Sequence, residues 1–204
     1  VELVLDWYQE VNPMADAETL PPNVLNAIAS KLGGEIPKAL GANLGLLGGG
    51  PASLKETFPV WMLEAASILE PTDNLSLLAK NTGHWHHQLA SAAGPLAYAR
   101  SMPLGADPQS WSIRQVSTSD LTTKVNDCII WVDANIPGNW TTRLLTIPAY
   151  HVHAFWFIDP LNPANQEVVV ISSPQNHALV TNKIYTPTEL LNELRRSSHI
   201  KGLA

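Results

Sequence analysis

The spacing of apolar residues changes part-way along this chain, and the change restricts the fold more than any other feature of the sequence. Up to about residue 80 the apolar positions recur every three or four residues, the repeat of helices with one buried face. After Thr82-Gly83 they run or alternate over short stretches bounded by turn residues, as strands do. Helices followed by strands predict an α+β protein and argue against an alternating βαβ arrangement.

The expected elements follow from these spacings. Leu3, Val4, Trp7, Tyr8 and Val11 mark a helix ended by Asn12-Pro13, and Val24, Leu25, Ile28, Ala29 and Leu32 mark a second from Pro22 to Gly33-Gly34. A third is expected over Ile36 to Leu47. A fourth is expected over Ser53 to Leu69, where Ser53 and Glu56 have capping-box spacing, and a short one over Leu75 to Lys80. Strands are expected at His84 to Ala90, Leu96 to Met102, Trp111 to Thr118, Trp140 to Ile147, Ala149 to Ile158 and Glu167 to Ser172. One helix interrupts them after Ser119, with Leu121, Val125, Cys128, Ile129 and Val132 as its stripe, and another closes the chain over Pro187 to Arg196. The fold predicted is an N-terminal helical part packed on or beside a mixed or antiparallel sheet, with one inserted helix and a C-terminal helix. It is expected as a single domain over 1–204, the alternative being a helical part, 1–74, and a sheet-containing part, 75–204. No internal repeat is visible.

Composition narrows the partners. A formal charge of −6 with twelve Lys plus Arg argues against nucleic acid, whose binding draws on phosphate neutralisation. The uncharged stretch Ala39 to Leu54 is broken by five glycines and a proline, so no membrane span is expected. Val1-Glu2-Leu3-Val4-Leu5-Asp6 lacks a basic region ahead of an apolar one, which makes the cytoplasm the expected location. The single cysteine, Cys128, excludes a disulfide framework within one chain and lies in an apolar stripe, where a thiol acts as a small hydrophobe. The glycines at 41, 45 and 48–50 lack the preceding strand and the Gly-Lys-Ser/Thr ending of a phosphate loop.

Five of the seven histidines fall into two clusters, His84-Trp85-His86-His87 and His151-Val152-His153. Residues two apart in a strand share a face, so His151 and His153 are expected beside Phe155 and Phe157, and His84 beside His86. If the two strands bring these faces together, His84, His86, His151 and His153 form a candidate zinc site of a metal-dependent hydrolase, with Glu64, Asp133 or Asp159 as accessory carboxylates. The competing expectation is that His151 and His153 are satisfied histidines hydrogen-bonded near a strand end and that His84, His86 and His87 are partly exposed. Arg100, Arg114 and Arg143, each in an expected strand, are candidate ligand-binding residues: arginines and histidines on one sheet favour a carboxylate or phosphate. With no recognisable catalytic motif, the favoured function is a non-catalytic module binding a partner protein or small-molecule ligand, a homo-oligomer being compatible with it. The metal-dependent hydrolase is the alternative.

Overall fold

The computed structural model describes residues 20–40, 52–92, 94–104, 110–174 and 178–200. The helix expected over Val1 to Val11, the glycine-rich stretch at 41–50 and with it most of the helix expected over Ile36 to Leu47 lie outside them. In order the elements are helix α1 (Pro22–Leu40), strand β1 (Ser53–Met62), short helices α2 (Ala65–Ile68) and α3 (Leu75–Leu78), and strands β2 (Lys80–Ser91), β3 (Gly94–Pro103) and β4 (Trp111–Ser117). Helix α4 (Asp120–Asn135) follows. Then come β5 (Thr141–Ile147), a 3-10 turn (Pro148–Tyr150), β6 (Val152–Ile158), β7 (Gln166–Ser172), β8 (Ile184–Tyr185) and helix α5 (Pro187–Ile200).

All eight strands belong to one sheet, ordered β4-β3-β2-β1-β5-β6-β7-β8. Every neighbouring pair is antiparallel except β1 and β5, which run parallel at the centre with Val60 opposite Leu144 and Met62 opposite Thr146. The chain thus folds as two successive units of four antiparallel strands and a helix, joined edge to edge. This repeat is one of topology and leaves no trace in the residues.

The α+β class is as expected, with one substantial correction. Ser53 to Leu69 is not one helix: Ser53–Met62 forms β1, a central strand of the sheet, and only the four residues Ala65–Ile68 are helical. Thr57, Phe58, Pro59 and Val60 are buried in succession because the sheet is covered on both sides, and a doubly covered strand loses the alternation that would reveal it. Pro59 is tolerated because pairing with β5 begins only at Val60 and the register with β2 shifts just after it. Helix α1 also differs, running on through Gly33 and Gly34. Both glycines face solvent, while Ile28, Leu32 and Ile36 continue the buried stripe that holds the helix down.

Each face of the sheet has its own core. On one face α1 packs on Leu89, Ala97, Ala99 and Trp111, while α2, α3 and α5 pack on Leu145, Val152, Ala154, Trp156, Val168 and Val170. On the other, the stripe Leu121, Val125, Cys128, Ile129 and Val132 of α4 packs on Phe58, Val60, Tyr98, Leu144, Phe155, Phe157 and Val169. The alternation expected in β6 holds, Phe155 and Phe157 facing α4 and Ala154 and Trp156 facing away. Cys128 is buried in that stripe and its thiol is pushed up to about 12 by burial, as befits a hydrophobe. Helix α5 begins with a full capping box: Thr186 Oγ1 accepts from Glu189 N at 3.2 Å, and Glu189 Oε2 accepts from Thr186 N at 2.8 Å.

Candidate functional site

On the α4 face, a cavity of about 840 Å³ spans strands β4 to β6. Among its lining residues are Arg100 from β3, Arg114 and Gln115 from β4, His84 and Lys80 from β2, Thr146 from β5, His151 after the 3-10 turn and His153 from β6. Five residues singled out from the sequence therefore meet in one place. Among the described residues no aspartate or glutamate is in the lining, in a chain whose net charge is −6.

Irregularities in the sheet create this convergence. Five register shifts occur in the ladders, and three of them fall at the cavity. Arg100 pairs with Gln115 and Ser101 with Ile113, so Arg114 is the extra residue of a bulge. In a regular strand Arg114 and Gln115 would point to opposite faces, whereas the bulge lets both line the cavity beside Arg100. On β2, Pro59 pairs with Trp85 but Trp61 with Asn81, so Thr82, Gly83 and His84 lie opposite Val60 alone. Gly83 accommodates this bulge with φ of 70°, and Thr82 Oγ1 fixes it by donating to Val60 O at 2.7 Å and accepting from His84 N at 3.2 Å. On β7, Ile171 is the extra residue between Val170 and Ser172, which brings Ser172 opposite His153.

The histidines take different roles. His151 is not part of β6: it ends the 3-10 turn in the left-handed conformation, φ 53°, and is exposed at the cavity rim. His153 is half-buried, with Nδ1 3.3 Å from Ser172 Oγ. Burial, followed by the charges of Arg100 and Lys124 and by His151, holds it down at about 4. His84 is also held below its ordinary value, by burial and then by the guanidinium groups of Arg100 and Arg114. His86 does not line the cavity but lies wholly buried beside it on β2, opposite Arg100, stacked on Tyr98 at 4.9 Å between ring centroids. Both of its ring nitrogens lack a hydrogen-bond partner, the Gln88 side chain being close but outside bonding geometry, and burial pushes it down to about 3. His87, on the opposite face, is a satisfied core histidine: Nδ1 meets Thr57 Oγ1 at 3.0 Å and Nε2 meets Ser101 Oγ at 2.6 Å.

Hydrogen-bonding capacity is spent selectively around the cavity. Thr146 Oγ1 donates to Trp61 O, Asn81 Oδ1 accepts from Gly83 N, and Gln115 Nε2 donates to the Tyr98 hydroxyl. Lys80 is committed to Glu64 at 2.7 Å. Arg100 and Arg114, by contrast, have no carboxylate partner among the described residues, and Arg100 Nε is buried without any acceptor.

The remaining candidates lie elsewhere. Arg143 is on the opposite face, with its guanidinium carbon 4.0 Å from the centre of the Trp61 ring and 4.8 Å from that of Trp156, a cation–π pairing within the fold. Of the accessory carboxylates, Glu64 pairs with Lys80, and Asp159 accepts from Leu161 N and Asn162 N in its own turn. Asp133 lies on α4 and is raised by burial. No three His, Cys, Asp or Glu side chains among the described residues gather closely enough to hold a metal ion. Among those residues, too, no helix is long and apolar enough to cross a membrane. Sequence reasoning passed over Lys80, Thr82 and Gly83. A glycine flanked by Asn81-Thr82 inside a strand pattern was the available sign of a bulge. No family description, curated protein or solved structure matches this chain.

Proposed function

We propose that this protein is a ligand-binding module whose sheet cavity takes a small anion. The observation that carries the proposal is the pair Arg100 and Arg114, turned into one cavity with no carboxylate among the described residues to neutralise them. A half-buried guanidinium with an unsatisfied Nε is costly unless a ligand supplies acceptors, and planar guanidinium groups match oxyanions bidentately. The cavity volume lies in the range of small-molecule sites, which favours a small ligand over a partner protein at this face. The same charges disfavour a metal cation among His84, His151 and His153, since both guanidinium groups already oppose protonation of His84.

Thermal unfolding in the presence of phosphate, sulfate and a set of small carboxylates tests the proposal at constant ionic strength. A bound anion at about a hundred times its Kd adds about 2.7 kcal/mol of stability, a plain upward shift in Tm. The shift is expected in the parent protein and lost in the Arg100→Gln, Arg114→Gln double variant. An equal shift in both proteins, or none in either, refutes it.

A further inference from the structure

We propose that the anion is the phosphoryl group of a small phosphate monoester, a reading that rests on the anion-binding role above. The two guanidinium groups do not occupy opposite ends of the cavity. They come from neighbouring strands at a bulge, Arg114 being the inserted residue next to the Gln115 that pairs with Arg100, and both act on the one ring of His84. Two positive charges beside a single point, with no carboxylate partner among the described residues, suit a group that carries its own double charge on one centre. A phosphate monoester carries about −1.5 to −2 at neutral pH with three acceptor oxygens, whereas a carboxylate carries one charge, and a dicarboxylate places its second charge several bonds away.

The capacity left unspent fits the same chemistry. Lys80 is held by Glu64, the Thr82 and Thr146 hydroxyls donate within the fold, and Asn81 and Gln115 each have one side-chain polar atom engaged there. The Arg100 and Arg114 guanidinium groups and the His84 ring remain and, with the Asn81 amide, line one cavity as donors for a tetrahedral oxyanion. From that point the cavity continues over Met62 and Thr146 to Pro148, His151 and His153, which leaves room for the body of the ester. Ser172 fixes His153 through Nδ1, so Nε2 is the nitrogen available to that body. A chain of net charge −6 is poorly suited to a polyanionic surface, which favours a free small ester over a nucleic acid.

Isothermal titration calorimetry with phenyl phosphate, inorganic phosphate, benzoate and succinate tests this on the full chain. The two phosphates are expected to bind at least about tenfold more tightly than either carboxylate, and Arg114→Gln, at an exposed strand edge, to weaken phenyl phosphate about 10- to 100-fold. Phenyl phosphate affinity is expected to rise with pH through about 6, where the monoanion becomes the dianion. The titratable and charged groups near the site are Arg100, Arg114, Lys80 with Glu64, Lys124 of α4, His151, and His84 and His153, the last two held below the ordinary imidazole value first by burial. Binding driven by protonation of the histidines would fall with pH instead. Carboxylates binding as tightly as phosphates, or affinity falling as pH rises, overturns the phosphoryl assignment while leaving the anion site standing. No binding of any of the four overturns both. A phosphoserine peptide binding far more tightly than phenyl phosphate overturns the assignment to a small free ester.

Discussion

His86 makes this fold sensitive to acid, and the size of the effect follows from its surroundings. The ring is wholly buried, stacked on Tyr98, without a partner on either nitrogen, and held at about 3 by burial and then by Arg100. In the unfolded chain a histidine titrates near 6.5. Below that pH the unfolded state takes up a proton that the folded state refuses, so stability falls as pH falls until the folded value is reached. Between about pH 7 and about pH 5 this ring alone removes about 2 kcal/mol. His87, also at about 3, and His153, at about 4, act in the same direction. Together the three remove about 5–6 kcal/mol, a large part of the 5–15 kcal/mol typical of a whole domain. Glu56, raised by burial, binds its proton more readily in the fold and offsets part of the loss.

The variant His86→Phe isolates the term, because it keeps a flat ring against Tyr98 and removes the two orphaned nitrogens, while the contributions of Glu56, His87 and His153 cancel in the comparison. Urea unfolding of parent and variant at several pH values is the assay. The variant is expected to be at least as stable as the parent at about pH 7 and to gain about 2 kcal/mol on it by about pH 5. A stability difference that stays constant across this range would show that His86 is protonated or hydrated in the native state and would refute the reasoning.

Two further outcomes are expected. Arg195 of α5 donates to Ile68 O, Glu70 O, Thr72 O and Asp73 Oδ1, all within 2.8 Å, and so ties the segment between α2 and α3 to the last helix. Since only Ile68 among these residues is buried and cannot regain water, Arg195→Ala should cost about 2–3 kcal/mol in urea unfolding, and a loss below about 0.5 kcal/mol would contradict it. Gly83→Ala meets no atom within 4 Å but must hold φ of 70°, so it should cost about 1–2 kcal/mol and, by disturbing the bulge that presents His84, weaken phosphate binding; unchanged calorimetric affinity would separate the bulge from the site.

Much of the second half of the fold was legible because its strands and helices bury one face each. The stripe of α4, the hairpin β2–β3 and the alternation in β6 all follow from apolar spacing. Strand β1 was not legible, since four consecutive buried residues between two layers of helices carry no period, and Phe58, Trp61 and Met62 also fit a helical face. The candidate site was legible in part. Residue type marked Arg100, Arg114, His84, His151 and His153, but Arg143 has the same chemistry on the wrong face, and His86 and His87 are neighbours with opposite fates.

What the sequence determined by itself was therefore the inventory: helices and strands in an α+β order, an acidic chain without a recognisable catalytic motif, and a small set of basic and imidazole side chains concentrated on strands. The tertiary structure decided which of them meet. Their convergence depends on departures from strand regularity at Thr82-Gly83-His84 and at Arg114, with a third at Ile171 setting Ser172 against His153, and on the parallel contact between β1 and β5 that brings the two halves of the sheet together. A bulge shifts the facing of every residue beyond it by one, and its position is fixed by pairing with a strand distant in the chain, so local spacing carries no record of it.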